Sequence, residues 1–385
     1  MDTLFIVPEH ENRYDRLKLI DWWNQSKLST SKILIVGAGA LGNEVIKNLA
    51  LLGIGNITIV DFDTVSVSNL TRSVLFRESD VGLPKAQVAC QRALEINPEI
   101  NIQTIHGDLE FDIGIGDICE HDVIIGCLDS VNARWAINQL SYRGSIPWIN
   151  GGIGVAEGEV SFFDPKTDTA CYSCSISDSM WERRNQRFSC QGMRRNIPEG
   201  SVPTTSTMAS MIGAVQVHQA LLILHGKAGL LESGEKIFLA LSPWTAFKVE
   251  IQRQEECSTH DMSKEPHLSI MYELDSCVNS ILLELETLGF SQPKLHLRNE
   301  LITLIECSEC RHKEELNVPL RQYPESSLTC PNCGFSERSF KSVSSLSLED
   351  ETSNSLLIRD LCLPKNEVLH FDHKSGLSAV QLYRV

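Results

Sequence analysis

Residues 31–63 read SKILIVGAGALGNEVIKNLALLGIGNITIVDFD, and this stretch constrains the chain more than any other. Ile33 to Val36 is a short apolar run rich in β-branched residues, as in a buried parallel strand. Gly37, Gly39 and Gly42 follow at G-x-G-x-x-G spacing. Val45, Ile46, Leu49 and Leu52 then recur at helical spacing. Gly53 and Gly55 end that helix, and Ile57 to Val60 form a second strand closing on Asp61. The pattern predicts a βαβ unit with its glycine turn at a helix N-terminus. There, backbone N–H groups and the helix dipole can meet a phosphate. Asp61 falls where a carboxylate accepts the hydroxyls of a ribose. Tight helix–strand packing alone would explain Gly42 well and the pair Gly37/Gly39 poorly.

The glycine motif does not choose between a dinucleotide and a triphosphate. The residues after it bear on that choice. Residues 61–85 carry Asp61, Asp63, Asn69, Arg72 and Lys85 in a segment too long for a plain strand–helix turn. A dehydrogenase has no need of Asn69, Arg72 and Lys85 after its ribose aspartate. An enzyme handling a triphosphate does, because Arg and Lys offset phosphate charge and Asn donates to phosphate oxygens. The bland alternative is a polar surface. Residues 86–97 read as a helix, and 100–105 and 122–128 as strands, the last ending at Asp129. A carboxylate at the C-terminal edge of a central strand lies where α/β sheets bind ligands. Beside a triphosphate it would hold magnesium. Residues 147–163 read as strands around a glycine corner.

The run GAGALG…D-F-D…SNLTR…K…CLDSVNAR…GGIG…EGEV…CYSC resembles the ThiF/MoeB/HesA family, the adenylating core shared with ubiquitin-activating enzymes. The resemblance covers roughly residues 10–260. It implies a Rossmann-like α/β adenylation domain with a mostly parallel sheet. It also implies use of ATP and magnesium to adenylate the C-terminal glycine of a small β-grasp protein, either ubiquitin-like or a sulfur carrier. By resemblance, Gly37, Gly39 and Gly42 line the phosphate loop and Asp61 holds the ribose. Asn69, Arg72 and Lys85 contact phosphates, and Asp129 binds magnesium. Arg13-Tyr14-Asp15-Arg16 matches the family's R-Y-x-R, whose second arginine, here Arg16, would reach a neighbouring subunit's ATP in a homodimer. Ala40 departs from the Gly of many relatives.

The same resemblance completes a zinc site. Cys171 and Cys174 form one Cys-x-x-Cys pair, and where the family has a second pair this chain has Cys257 and His260. Three thiolates and an imidazole suit tetrahedral zinc. A crossover loop is expected near residues 175–205. In family members that form a thioester it carries the cysteine, and Cys190, flanked by Arg187, Arg194 and Arg195, is the candidate. Cations beside a thiol raise its thiolate fraction. Incidental placement and persulfide chemistry are the alternatives for Cys190.

Independently of the family, Cys307-x-x-Cys310 and Cys330-x-x-Cys333, nineteen residues apart, are a zinc-ribbon signature near residues 303–336. The division expected is an adenylation domain over 1–262 and a C-terminal region over 263–385. The C-terminal region is expected to have a helix near 268–290 and a final strand at 379–383. The pattern LLIRDLCLPKNEVLHF is similar to the end of a ubiquitin-like fold, which in activating enzymes recruits a conjugating enzyme. A small mixed domain supporting the dimer is the plainer reading. Residues 11–27 read as an amphipathic helix before the first strand.

Composition sets outer limits. The length of 385 residues allows two or three domains. A net charge of −16 disfavours general binding to nucleic acid or anionic membranes. No sequence run is read as a membrane span and the first residues lack a signal-peptide pattern. Thirteen cysteines in that setting predict metal and thiol chemistry in a reducing cytoplasm. The rivals to carrier activation with a thioester step are sulfur-carrier adenylation without one, a NAD-dependent oxidoreductase, and a non-catalytic scaffold.

Overall fold

The structure, a computed structural model, describes residues 12–177, 203–257, 259–260, 268–320, 323, 329–336, 338–364 and 367–384. Its first body is an eight-stranded sheet in the order β3-β2-β1-β4-β5-β6-β7-β8. Strands β1 (Lys32–Val36), β2 (Asn56–Val60), β3 (Asn101–Ile105), β4 (Val123–Gly126) and β5 (Trp148–Ile153) are parallel. Strands β6 (Glu157–Phe163), β7 (Glu235–Leu241) and β8 (Trp244–Glu250) add on antiparallel. The Rossmann-like, mostly parallel α/β architecture is thus as expected.

Period-2 alternation sorts the strand residues into two layers. Ile33, Ile35, Ile57, Ile59, Val123 and Ile125 face one layer. It is covered by α2 (Ala40–Leu52), α3 (Lys85–Ile96) and α7 (Ser206–His225). Leu34, Val36, Val60 and Ile124 face the other. That layer holds the short helices α4 (Leu109–Asp112) and α5 (Ile115–Cys119), and then α6 (Val131–Gly144). Helix α2 buries Val45, Ile46 and Leu49 completely. Truncating one such side chain, as in Leu49→Ala, costs about 2–5 kcal/mol. Gly53 ends the helix in the left-handed region at φ +73°, donating its N–H to the Ala50 carbonyl.

One expectation of this body changes. The helix expected over residues 11–27 is a 3₁₀ turn at Leu17–Leu19 followed by α1 at Gln25–Thr30. Asn24 sets the later start, its side chain accepting from the Lys27 N–H. Tyr14 is the anchor of the leading segment: it is buried, and its hydroxyl accepts from Asn97 Nδ2 at 2.8 Å. Helix α7 is long and apolar enough to cross a membrane by length and composition. In the fold it is a core helix. Met208, Ile212, Val217 and Leu221 are buried, and a Cβ on Gly213 would touch Glu44 of α2.

The second body has its own core. Strands β9 (Leu268–Tyr272), β10 (Lys294–Cys307), β11 (Lys313–Pro319), β13 (Val368–His373) and β14 (Gly376–Arg384) run in the order β11-β10-β13-β14-β9. Strand β12 (Arg338–Ser347) also pairs with β10. Helix α8 (Val278–Thr287) buries Ile281, Leu282 and Leu285 on this sheet. A short α9 (Glu351–Ser355) follows β12. The sequence suggests one final strand; the structure has the hairpin β13–β14, with β14 parallel to β9. The hydrophilic turn at His373–Gly376, where Gly376 adopts φ +138°, divides the run.

Candidate active site

A cleft of about 550 Å³ opens beyond the carboxyl ends of β1, β2 and β4, where open α/β sheets bind ligands. Gly37 is held at φ +96°, and a Cβ there would lie 2.5 Å from the Cys127 carbonyl oxygen. A Cβ on Gly42 would lie 2.0 Å from the Gly37 oxygen. Both glycines are therefore required by the turn itself, and packing accounts for Gly37 as well as Gly42. Gly39 differs. It lines the cleft, and a Cβ there would meet nothing within 4 Å. It also stands at the N-terminal cap of α2, with Ala40 the first helical residue. The space a ligand could use is at Gly39.

Asp61 directly follows β2 and ties this turn down. Its Oδ2 accepts the Ala38 N–H at 2.6 Å and its Oδ1 the Asp63 N–H at 2.8 Å. Burial pushes its carboxyl above the usual range, while the two N–H groups and Lys85 pull it back. Lys85, itself buried, donates to Asp63 Oδ2 at 2.6 Å. A connected path thus runs from the glycine turn through Asp61 and Asp63 to Lys85. Asn69 uses its side-chain oxygen to cap the turn Val67–Asn69 on the Ser66 N–H, leaving its NH₂ as the donor it can offer a ligand. Arg72 donates to the Ser68 carbonyl at 3.0 Å. Asn69, Arg72 and Lys85 all line the cleft, and so does Asp129.

Asp129 is exposed three residues beyond the end of β4, just before Ser130 caps α6. Arg134, one turn into α6, fixes that corner by donating to the Leu128 carbonyl at 2.7 Å and the Gly151 carbonyl at 3.3 Å. Magnesium takes oxygen ligands and is commonly held by one or two carboxylates together with substrate phosphates. Asp129 shares the cleft with Arg72 and Lys85 and with further carboxylates, among them Asp63 and Asp108, a donor set that fits that use.

Arg16 is exposed and lies outside the cleft of its own chain. Cys190 lies outside the described residues, as does most of the expected crossover loop. Several cleft residues have no assigned role in the sequence motifs: Gly107, Asp108 and Leu109 after β3, Arg134, and Phe238 of β7. Arg134 has a sequence signal, an arginine one turn after the strand-ending aspartate. Residues 107–109 have none, because only the return of β3 beside β2 brings them to the cleft.

Both cysteine groups assemble. Cys171, Cys174, Cys257 and His260 place their ligand atoms within 4.8 Å of one another, and so do Cys307, Cys310, Cys330 and Cys333. Cys171 Sγ is 3.8 Å from Cys174 Sγ and 3.6 Å from Cys257 Sγ; Cys174 Sγ is 3.3 Å from His260 Nε2. In the second group, Cys307–Cys333 and Cys310–Cys330 are each 3.6 Å. A tetrahedron with zinc–sulfur bonds of about 2.3 Å has sulfur–sulfur edges of roughly 3.8 Å, so both sets fit zinc. Hydrogen bonds from Cys171 and the Gln254 N–H hold the Cys174 thiol down to about 4. Asn332 Nδ2, 3.4 Å from Cys310 Sγ, helps hold that thiol down to about 6. In each cluster one thiol is thus held toward the thiolate that a metal needs, while Cys171 and Cys333 are pushed up.

A sequence profile described as the ThiF family matches residues 11–259. The molybdopterin-synthase adenylyltransferase of Haemophilus influenzae is 40% identical over 168 residues, 43% of this chain and 69% of that protein. The SUMO-activating enzyme subunit 2 of Dictyostelium discoideum is 38% identical over 149 residues, 38% of this chain and 22% of that protein. The chain thus spans about two-thirds of the first relative and under a quarter of the second. Among solved structures, E. coli MccB with MccA-N7isoASN matches with a TM-score of 0.53 and 25% identity, covering 65% of this chain and 75% of that one.

Proposed function

Because the chain belongs to the ThiF family, we propose that it uses ATP to adenylate the C-terminal carboxylate of a small β-grasp protein, a ubiquitin-like or sulfur-carrier protein. The observation that carries this reading is the cleft itself. A ribose-type aspartate, an open glycine at a helix N-terminus, a basic cluster and a strand-ending aspartate share one wall-to-wall space.

In this reading Asp61 receives the ribose hydroxyls, and the α2 N-terminus at Gly39 and Ala40 receives phosphate oxygens. Asn69, Arg72 and Lys85 stabilise the charge that builds on the phosphates. Asp129 would hold magnesium, whose charge offsets that of the triphosphate. The carrier's carboxylate oxygen attacks the α-phosphorus, a new oxygen–phosphorus bond forms, and the bond to pyrophosphate breaks. The products are an acyl-adenylate and pyrophosphate. The names of the two relatives, one an adenylyltransferase and one a protein-activating subunit, support this chemistry.

The finer steps belong to the same proposal. The Cys190 thiolate takes the acyl group, expelling AMP, and hands it to a conjugating enzyme. Arg16, exposed and outside its own cleft, serves the cleft of a second copy in a homodimer. The free thiols at two metal-type clusters suit a reducing cytoplasm.

The test is a non-reducing gel of the chain incubated with ATP, magnesium and a carrier ending in glycine, with pyrophosphate measured in parallel. A thiol-sensitive adduct absent from Cys190→Ala supports activation through a thioester. Pyrophosphate without an adduct moves the reading to adenylation alone. Neither product with any carrier would overturn it in favour of a scaffold.

A further inference from the structure

The segment between β3 and α5 is held from two sides. Facing the cleft, Gly107, Asp108 and Leu109 form part of its wall. Within the segment, Asp112 closes the turn by accepting the Asp108 N–H at 2.7 Å. From behind comes Arg298, a residue of β10 in the second body and outside the family-matched region. Its guanidinium donates to the Ile113 carbonyl at 2.6 Å and the Leu109 carbonyl at 3.3 Å, the two ends of the turn. It also pairs with Glu367 at 2.5 Å, and the Glu367 side chain is wholly buried. Glu367 in turn accepts the Val368 N–H. A second tie runs in the opposite direction. Arg143 of α6 donates to the Val368 carbonyl at 2.7 Å and approaches His370 Nδ1 at 3.2 Å. Helix α6 begins at the cleft with Ala133 and Arg134. Val368 and Ala379 complete the core under this face of the sheet.

We infer that the C-terminal body is a working part of the nucleotide cleft, with Arg298 as a positioning residue that sets the 107–113 wall and thereby the affinity for an adenine nucleotide. The inference rests on the adenylation reading above. The bidentate grip suits Arg and not Lys, since one planar group reaches two carbonyls and a carboxylate together. The wall it holds is apolar at Leu109 and continues from β3, whose Ile105 carbonyl accepts the Asp61 N–H at 3.1 Å, so the base of a nucleotide whose ribose sits on Asp61 would meet it. Releasing the grip leaves the turn to sample other conformations. The apparent affinity then falls by the fraction of time the wall is out of place.

The experiment measures binding of a non-hydrolysable ATP analogue to the full chain by calorimetry, together with the KM for ATP and kcat of pyrophosphate exchange. Arg298→Lys is expected to weaken nucleotide binding by ~10-fold and raise KM(ATP) to match, with kcat at saturating ATP within about twofold. The KM for the carrier should stay unchanged. The double variant Arg298→Met/Glu367→Gln removes both charges together, so that no lone buried carboxylate remains to unfold the chain. It should show the same split. Nucleotide affinity within twofold of wild type in the double variant overturns the inference. So does an equal loss of kcat with no change in KM(ATP). Hydrogen exchange on the wild-type chain gives a check free of substitution: nucleotide should slow amides in both 107–113 and 367–372, and slowing confined to the first overturns the inference. Failure of the wild-type chain to bind the analogue at all would instead sink the adenylation reading on which this rests.

Discussion

The two bodies of the chain hold their charged groups in different ways. In the adenylation body, Asp61, Asp63, Lys85, Arg72 and Asp129 gather at the wall of a cleft; the first three are tied to backbone N–H groups or to one another, and Arg72 to the Ser68 carbonyl. In the C-terminal body, the ion pairs Arg298–Glu367 and Arg338–Glu314 each bury one partner deeply. The metal-type clusters differ in the same sense. Cys171, Cys174 and Cys257 are buried against Tyr142 and Ala170, and Thr259, next to His260, is buried on Asn138, Gln139 and Ser173. The four-cysteine cluster sits at the far end of β10, with Cys333 exposed. The lesson is a division of labour. The first body carries polar groups that face a ligand. The second uses its polar groups for internal and inter-body contacts. The inner metal cluster belongs to a core, whereas the outer one holds a tip.

Substitutions can break or sharpen that contrast. The largest effect is expected from Asp129→Asn, which should slow pyrophosphate exchange by ~100-fold or more while leaving the melting temperature within about 2 °C. A matching loss of stability would mean that Asp129 is a structural residue like those of the second body. Next comes Cys257→Ser, which breaks the buried cluster. It should lose one bound zinc and lower the melting temperature by about 10 °C, on the order of 3 kcal/mol at a few degrees per kcal/mol. Metal analysis and calorimetry on the same sample check it.

The glycine turn offers a comparison inside the first body. Gly37→Ala must bring a Cβ against the Cys127 carbonyl at a positive φ, and should cost about 1–3 kcal/mol by denaturant titration. Gly39→Ala should leave stability within about 0.5 kcal/mol and weaken nucleotide binding instead. Equal stability loss at both would remove Gly39 as the open position. The smallest effect is expected from Cys330→Ser in the outer cluster. It should remove one zinc and shift the main melting transition by less than about 3 °C, with exchange activity within twofold of wild type. A large fall in activity would show that the tip, too, works on the cleft.

How far the sequence could be read follows the same boundary. The βαβ unit was legible because strand, turn and helix are contiguous and each has its own period. Asp61 and Asp129 stood out as charged residues following apolar strands, and Arg72 and Lys85 as donors in a segment too long for a plain strand–helix turn. The four-cysteine ribbon was legible because metal ligands pair locally, and the family resemblance matched Cys257 and His260 to Cys171 and Cys174. What the pattern did not show depends on contacts distant in sequence. Residues 107–109 reach the cleft only through the β2–β3 pairing. Arg298 reads as an ordinary arginine in a strand, and its partners lie 69 residues onward and 185 and 189 residues back. The β13–β14 hairpin was hidden by a run whose charged and apolar residues do not alternate strictly. The helix expected over 11–27 failed because exposed Leu19 and Ile20 carry no core face.

The most direct measurement of the central claim is exchange of labelled pyrophosphate into ATP by the wild-type chain, with and without a β-grasp protein ending in glycine. Exchange is expected to require the carrier and its terminal glycine, and to stop when the terminal carboxylate is amidated. ATP binding without exchange for any such carrier, or release of orthophosphate in place of pyrophosphate, would contradict it.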